Sequence, residues 1–220
     1  MTDVLPAVEI DAEGEAAGAV IWLHGLGANG HDFEPIVPHL GLSGVRFVFP
    51  HAPERPVTIN GGFVMPAWYD ILAMGTAGGE NGDDVRESAA QVEALIAREA
   101  ARGIPSGRIV LAGFSQGGAM ALFAGLRHAQ PLRGIMVLSG YEVLGRARAE
   151  VTEANRKTPL LFCHGTYDPM VQVARARDAY AVYAEGRPAA EWHDFPMGHE
   201  VSAAEITVIR DWLGARFAAD

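Results

Sequence analysis

Ser115 lies in Gly113-Phe114-Ser115-Gln116-Gly117, a G-x-S-x-G pattern. The apolar run Arg108 to Gly113 precedes it and the helix-like stretch Gln116 to His128 follows. A nucleophilic hydroxyl is best exposed on a sharp, strained strand-to-helix turn, and glycines flank it because larger side chains would clash there. The following helix aims backbone N–H groups and its positive end at developing negative charge. Five residues alone also fit a plain packing turn. The strand before and the helix after favour the nucleophile.

A serine nucleophile needs a base, and the base needs an orienting acid. On this kind of scaffold the chain order is serine, acid, histidine. Asp168 stands in "LLFCHGTYDPMV", a strand followed by a polar loop. His199 stands in "AEWHDFPMGHEVS", a strand-like run and a loop before the last helix. The chain has eight histidines. His31 and His39 flank a short helix-like segment and read as surface residues. His128 ends a helix and reads as solvated or capping. His51 and His164 follow strands as satisfied turn residues, and His193 lies within the last strand. Only His199 combines the right order with a loop beyond the final strand. Asp194, five residues before it, is a second candidate acid behind Asp168.

Acyl transfer also needs an oxyanion hole. One donor is the backbone N–H after the nucleophile, that of Gln116, and the second comes from a loop after an earlier strand. "LHGLGANG", Leu23 to Gly30, is such a loop, with Leu26 N–H as the expected donor. Its Gly25, Gly27 and Gly30 also spell a dinucleotide-type G-x-G-x-x-G. No acidic residue ends the next strand to hold a ribose, so that alternative fails. No metal site is expected, because there is neither an H-x-x-x-H pair on a helix nor a cysteine pair. No cofactor is implied.

The elements that must position these residues alternate. Ala19–His24, Val45–Pro50, Arg108–Gly113, Gly134–Ser139 and Pro159–His164 are continuous apolar runs, as strands covered on both faces should be. Between them Asp84–Arg102, Gln116–His128, Val173–Glu185 and Ala203–Phe217 carry helical patterns. Asp84 and Glu87 have capping-box spacing at the first of these. The alternation predicts an α/β fold: a mostly parallel sheet with helices on both faces and chemistry at the strand carboxyl ends. His51 to Asp83 breaks the pattern. It is rich in Gly, Pro and large apolar side chains, and a connection this long without clear regular structure is often functional.

At 220 residues the chain fits a single domain, 1–220, and 49% hydrophobic against 20% charged residues supports a sizeable core. A net charge of −10 argues against a nucleic-acid partner, which needs a basic footprint. No apolar run reaches the ~20 residues of a membrane span. The acidic N-terminus has no basic region of a secretory signal. A single cysteine, Cys163, forbids an internal disulfide and points to a reducing compartment, hence a cytoplasmic location. Its place in "PLLFC" makes it a small buried hydrophobe.

Six stretches in order, "LHGLGANG", "PHAPERPVT", "MPAWYDI", "GIPSGRIVLAGFSQGGAMAL", "CHGTYDPMV" and "MGHEVS", resemble the carboxylesterase/phospholipase family of α/β-hydrolases. That family includes acyl-protein thioesterases and small bacterial carboxylesterases. The resemblance runs from about Val20 to Phe217. It implies an α/β-hydrolase without a large cap domain, with Ser115 as nucleophile, Asp168 as acid, His199 as base, and Leu26 and Gln116 as oxyanion donors. It also implies an acyl groove walled partly by His51 to Asp83, with Met65, Leu72, Met74 and Val171 as candidate groove residues. Expected substrates are small esters or lipid-like acyl compounds of short to medium chain. The alternatives are a lysophospholipase or long-chain acyl-protein thioesterase, and a non-catalytic ligand-binding protein on the same scaffold. Homodimers are compatible with the likeness. Two departures from the family pattern touch the groove: "SGYEVLGRA", with Tyr141 and Glu142, and the glycine-rich "AMGTAGGENGDD".

Overall fold

The computed structural model of the chain describes residues 4–73 and 78–218. Its strands, in chain order, are β1 (Ala7–Ile10), β2 (Gly18–Leu23), β3 (Val45–Pro50), β4 (Glu54–Val57), β5 (Phe63–Pro66), β6 (Ile109–Phe114), β7 (Gly134–Leu138), β8 (Leu160–Gly165) and β9 (Ala190–Phe195). The α-helices are α1 (Val37–Leu40), α2 (Gly82–Ala101), α3 (Gln116–Arg127), α4 (Val173–Ala184) and α5 (Ala203–Phe217). Seven strands form one sheet in the order β1-β3-β2-β6-β7-β8-β9. Only β1 is antiparallel to its neighbour; every other pairing is parallel.

The continuous apolar runs are explained by burial on both faces. In β2, Ala19, Ile21 and Leu23 enter one core while Val20 and Trp22 enter the other. In β6, Ile109 and Leu111 alternate in the same way with Val110 and Ala112. Such period-two alternation leaves no strand position polar when helices cover both sides. α2, α3 and α4 supply Val92, Leu95, Ala119, Met120 and Ala179 to the first core. α1 and α5 supply Leu40, Ile209, Trp212 and Leu213 to the second. Cys163 points into that second core, and burial pushes its thiol well above the ordinary range, so it packs as a hydrophobe.

The chain order reverses between β2 and β6. After β2 the chain moves outward to β3; from β6 it moves the other way to β7, β8 and β9. A crevice opens at such a switch point, beyond the carboxyl ends of the strands.

Three expectations are corrected. The His51–Asp83 segment carries regular structure after all, because β4 and β5 pair as an antiparallel ribbon from Glu54↔Pro66 to Val57↔Phe63. Pro56 and Pro66 masked it, since proline reads against a strand and yet is tolerated in a two-stranded ribbon with open edges. The first long helix starts at Gly82, and its cap is Asn81, whose side chain accepts from the Asp83 and Asp84 amides. Asp84 works elsewhere: its carboxylate accepts from the Asp70 amide and pairs with Arg55. His128 sits at the end of α3 but is buried, with Nδ1 on Glu93 at 2.7 Å. Among the described residues no helix is long and apolar enough to cross a membrane.

Candidate active site

Strand register gathers the site. β2 and β6 are neighbours with Leu23 opposite Gly113, and Leu26 and Gln116 each lie three residues beyond that pair. β8 and β9 pair Gly165 with Phe195; Asp168 lies three residues beyond the first and His199 four beyond the second. All four therefore emerge at one edge of the sheet.

Ser115 sits between β6 and α3 with φ 53° and ψ −119°, a backbone conformation that L-residues other than glycine seldom adopt. Its amide donates to Leu138 O at 2.8 Å. The turn is so tight that a Cβ on Gly113 would lie 2.2 Å from Gly117 O, and one on Gly117 2.3 Å from Leu23 O. Glycine at both positions lets the start of α3 press against its own turn and against β2.

His199 Nε2 lies 2.8 Å from Ser115 Oγ, and His199 Nδ1 lies 2.7 Å from Asp168 Oδ2. The Asp168 side chain is fully buried. Its Oδ1 accepts from the amides of Met170 at 2.8 Å and Val171 at 2.9 Å. A carboxylate only accepts, so the histidine proton is held on Nδ1 and Nε2 is left to receive the serine O–H. Phe114 packs against the imidazole at 4.8 Å between centroids, backed by Phe33 at 5.6 Å and then Trp22 at 5.0 Å. The acid and base loops touch through glycine: a Cβ on Gly165 would sit 2.2 Å from Gly198 O.

The Leu26 and Gln116 amides donate to no protein acceptor among the described residues. For Gln116 this is the ordinary condition of a first helical residue. The Leu26 loop is held by His24. Its Nε2 accepts from the Ala52 amide at 3.0 Å, and its Nδ1 donates to Gly25 O at 2.7 Å. Burial lowers the His24 pKa, in keeping with this neutral tautomer. Trp68 Nε1 donates to His24 O at 2.8 Å. The Gln116 side chain reaches the same segment: Oε1 accepts from Trp68 N at 2.8 Å and Nε2 donates to Tyr69 O at 2.7 Å.

These groups border a cavity of about 350 Å³. Ser115, Gln116 and His199 line it, as do Leu26, Met65 and Val171. Leu72 does not join them; it is 47% exposed, and the wall is made by its neighbour Ile71, whose backbone pairs with Glu80. Adjacent residues of an extended pairing point to opposite sides, which separates the two. Met74 lies outside the described residues.

Sequence reasoning missed three contributors. His164 was read as a turn residue, but it ends within β8, fully buried, with Nε2 2.8 Å from Val171 O and 3.4 Å from Asp168 Oδ2. Burial lowers its pKa, and its Nε2 hydrogen bond goes to the backbone of Val171, the residue whose amide holds Asp168 Oδ1. Glu80 and Arg175 also line the cavity and pair at 2.6 Å. No motif marks them; Arg175 was one charge on an amphipathic helix. Tyr141, one of the two departures from the family pattern, does line the cavity, whereas Glu142 turns to Arg148 and Tyr183. Asp194 is engaged on the surface by Trp192 and Arg177, and among the described residues no histidine other than His199 is hydrogen-bonded to Ser115.

A parallel sheet with helices on both faces and a Ser–His–Asp contact at its switch point defines a hydrolase of the α/β-hydrolase fold. The sequence profile of the phospholipase/carboxylesterase family matches residues 6–216. The chain is 38% identical to acyl-protein thioesterase 1 of Neurospora crassa, over 96% of this chain and 91% of that one. It is 36% identical to acyl-protein thioesterase 1 of Gibberella zeae, over 92% of each. Among solved structures, Arabidopsis thaliana SOBER1 superposes with a TM-score of 0.84 at 33% identity, covering 90% of this chain and 98% of its own. The chain belongs to the phospholipase/carboxylesterase family. Both named curated relatives are fungal, so the likeness gives no ground for a bacterial source.

Proposed function

We propose that the protein is a single-domain, cytoplasmic serine hydrolase that cleaves carboxylic esters and thioesters of short to medium acyl chain through an acyl-enzyme. The observation that carries this is the hydrogen-bonded chain from Ser115 Oγ through His199 to Asp168 Oδ2, at 2.8 and 2.7 Å, opening onto one cavity. His199 Nε2 takes the Ser115 proton as Oγ attacks the acyl carbonyl. Asp168 keeps the other imidazole proton on Nδ1 and stabilises the imidazolium. The Leu26 and Gln116 amides receive the oxyanion. His199 then protonates the departing alkoxide or thiolate and takes a proton from water; the hydroxide so formed attacks the acyl carbonyl, the acyl–Oγ bond breaks to release the acid, and His199 returns the proton to Ser115 Oγ.

A second reading, removal of long acyl chains from proteins, is supported by the thioesterase relatives and by the apolar walls at Leu26, Met65 and Val171. Hydrolysis of p-nitrophenyl butyrate by wild type and Ser115→Ala tests the catalytic assignment. The variant is expected to lose about 10³-fold or more in kcat. Retention of most of the activity would overturn it.

A further inference from the structure

The cavity lining mixes two chemistries. Leu26, Ile59 and Met65 are apolar, whereas Tyr141, Glu80 and Arg175 form a polar group. That polar group is built rather than incidental. Arg175 Nη2 donates to Glu80 Oε1 at 2.6 Å, and the guanidinium lies 3.7 Å over the Tyr141 ring. The Tyr141 and Tyr69 hydroxyls meet at 2.6 Å, and Tyr69 O accepts from the Gln116 side chain. An unbroken line of contacts thus runs from the residue beside the nucleophile to the ion pair. The Glu80 side chain is 5% exposed and that of Arg175 30% exposed, so the pair is held in place yet keeps contact with solvent.

An alkyl chain gains affinity by leaving water for apolar surface, about fourfold per methylene, the equivalent of ~0.8 kcal/mol. Methylenes lying on Leu26, Ile59 and Met65 collect that gain. Methylenes laid over Arg175 and Glu80 do not, because they strip residual water from two charges that cannot be repaid by an alkyl group. We infer that the Glu80–Arg175 pair, braced on Tyr141, is the specificity-determining end of the acyl site and confines this enzyme to short and medium acyl chains. This rests on the reading of Ser115 as the nucleophile and adds to it a cause for the chain-length limit that is electrostatic rather than steric.

The test is kcat/KM for p-nitrophenyl esters from acetate to dodecanoate, with wild type, Glu80→Leu/Arg175→Leu and Arg175→Lys. Removing both partners avoids stranding one buried charge. Wild type is expected to rise about fourfold per methylene and then flatten or fall at medium length. The double variant should extend the rise by at least two methylenes, so that its decanoate-to-acetate ratio exceeds the wild-type ratio by about fifteenfold, with the gain in KM rather than kcat. Arg175→Lys should keep the wild-type limit. A double variant that hydrolyses acetate with an unaltered length profile overturns the proposal. If that variant fails to fold, alkylboronic acids from propyl to decyl serve on wild type alone. Inhibition that tightens steadily through decyl also overturns it. A wild-type enzyme that hydrolyses no ester at all refutes the catalytic reading instead.

Discussion

Replacing Glu205 by Gln is expected to stabilise the protein at neutral and mildly alkaline pH, and by less as the pH falls. Glu205 lies in the first turn of α5 and is fully buried. Neither carboxyl oxygen has a hydrogen-bond partner within the described protein. Burial raises its pKa to about 8, while the nearby Ser202 amide pulls the other way from outside hydrogen-bond geometry. In the unfolded chain the same group titrates near 4.5. Between those two values the unfolded state has released a proton that the folded state keeps, so stability falls as pH rises from about 4.5 to about 8 and is level above. At 1.36 kcal/mol per unit, this group costs the fold about 3 kcal/mol at pH 7 and about 5 above pH 8. Glutamine has nearly the same shape and no such titration. The difference between variant and wild type should therefore be smallest near pH 4.5 and should grow by those amounts, about 6–12 °C in Tm at pH 7. Equilibrium urea unfolding across pH 4.5 to 9 measures it, and other titrating groups cancel in the difference. Parallel stability curves for the two proteins would refute the reasoning, because they would mean that Glu205 titrates alike in both states.

Asp168→Asn should lower kcat by about 10³–10⁴ with little change in KM, because an amide no longer obliges His199 to keep its proton on Nδ1. Steady-state kinetics on a short ester check it, and a loss under tenfold would speak against the tautomer role. Gly165→Ala places a methyl 2.2 Å from Gly198 O and must push the acid and base loops apart. It should cost about 1–3 kcal/mol in thermal unfolding and about 10²-fold or more in kcat/KM. Native stability and activity in that variant would show that the loops have slack.

Where the sequence could be read, backbone rules were at work. The runs containing Val20, Val110 and Leu161 are strands because both of their faces need cover, and continuous apolarity is the signature of that need. Ser115 was legible because its turn excludes side chains at Gly113 and Gly117. Asp168 and His199 followed from chain order and from their places just past strands. Leu72 and Met65 looked equivalent in sequence, and only the Ile71–Glu80 pairing turns Leu72 outward. His164 and Arg175 were hidden for another reason. Their roles depend on partners four residues along the chain in one case and on a distant loop in the other, and neither distance is a motif.

This division has a physical basis in how the site is built. Ser115, Asp168 and His199 lie within four residues of hydrogen-bonded strand ends, so register sets their spacing. Much of the cavity lining comes from the β4–β5 ribbon, the stretch around Ile71 and Glu80, the loop after β7 and the first turn of α4, none of which is held in the main sheet. Wall residues can change while the catalytic groups stay put, and for that reason acyl preference is harder to read than reaction type. Gln116 is where the two systems meet. Its amide donates to no protein acceptor among the described residues, while its side chain grips the backbone of Trp68 and Tyr69. The Tyr69 hydroxyl leads on to Tyr141 and Arg175. The residue beside Ser115 is therefore tied by its side chain to the segment that leads to the polar part of the cavity lining.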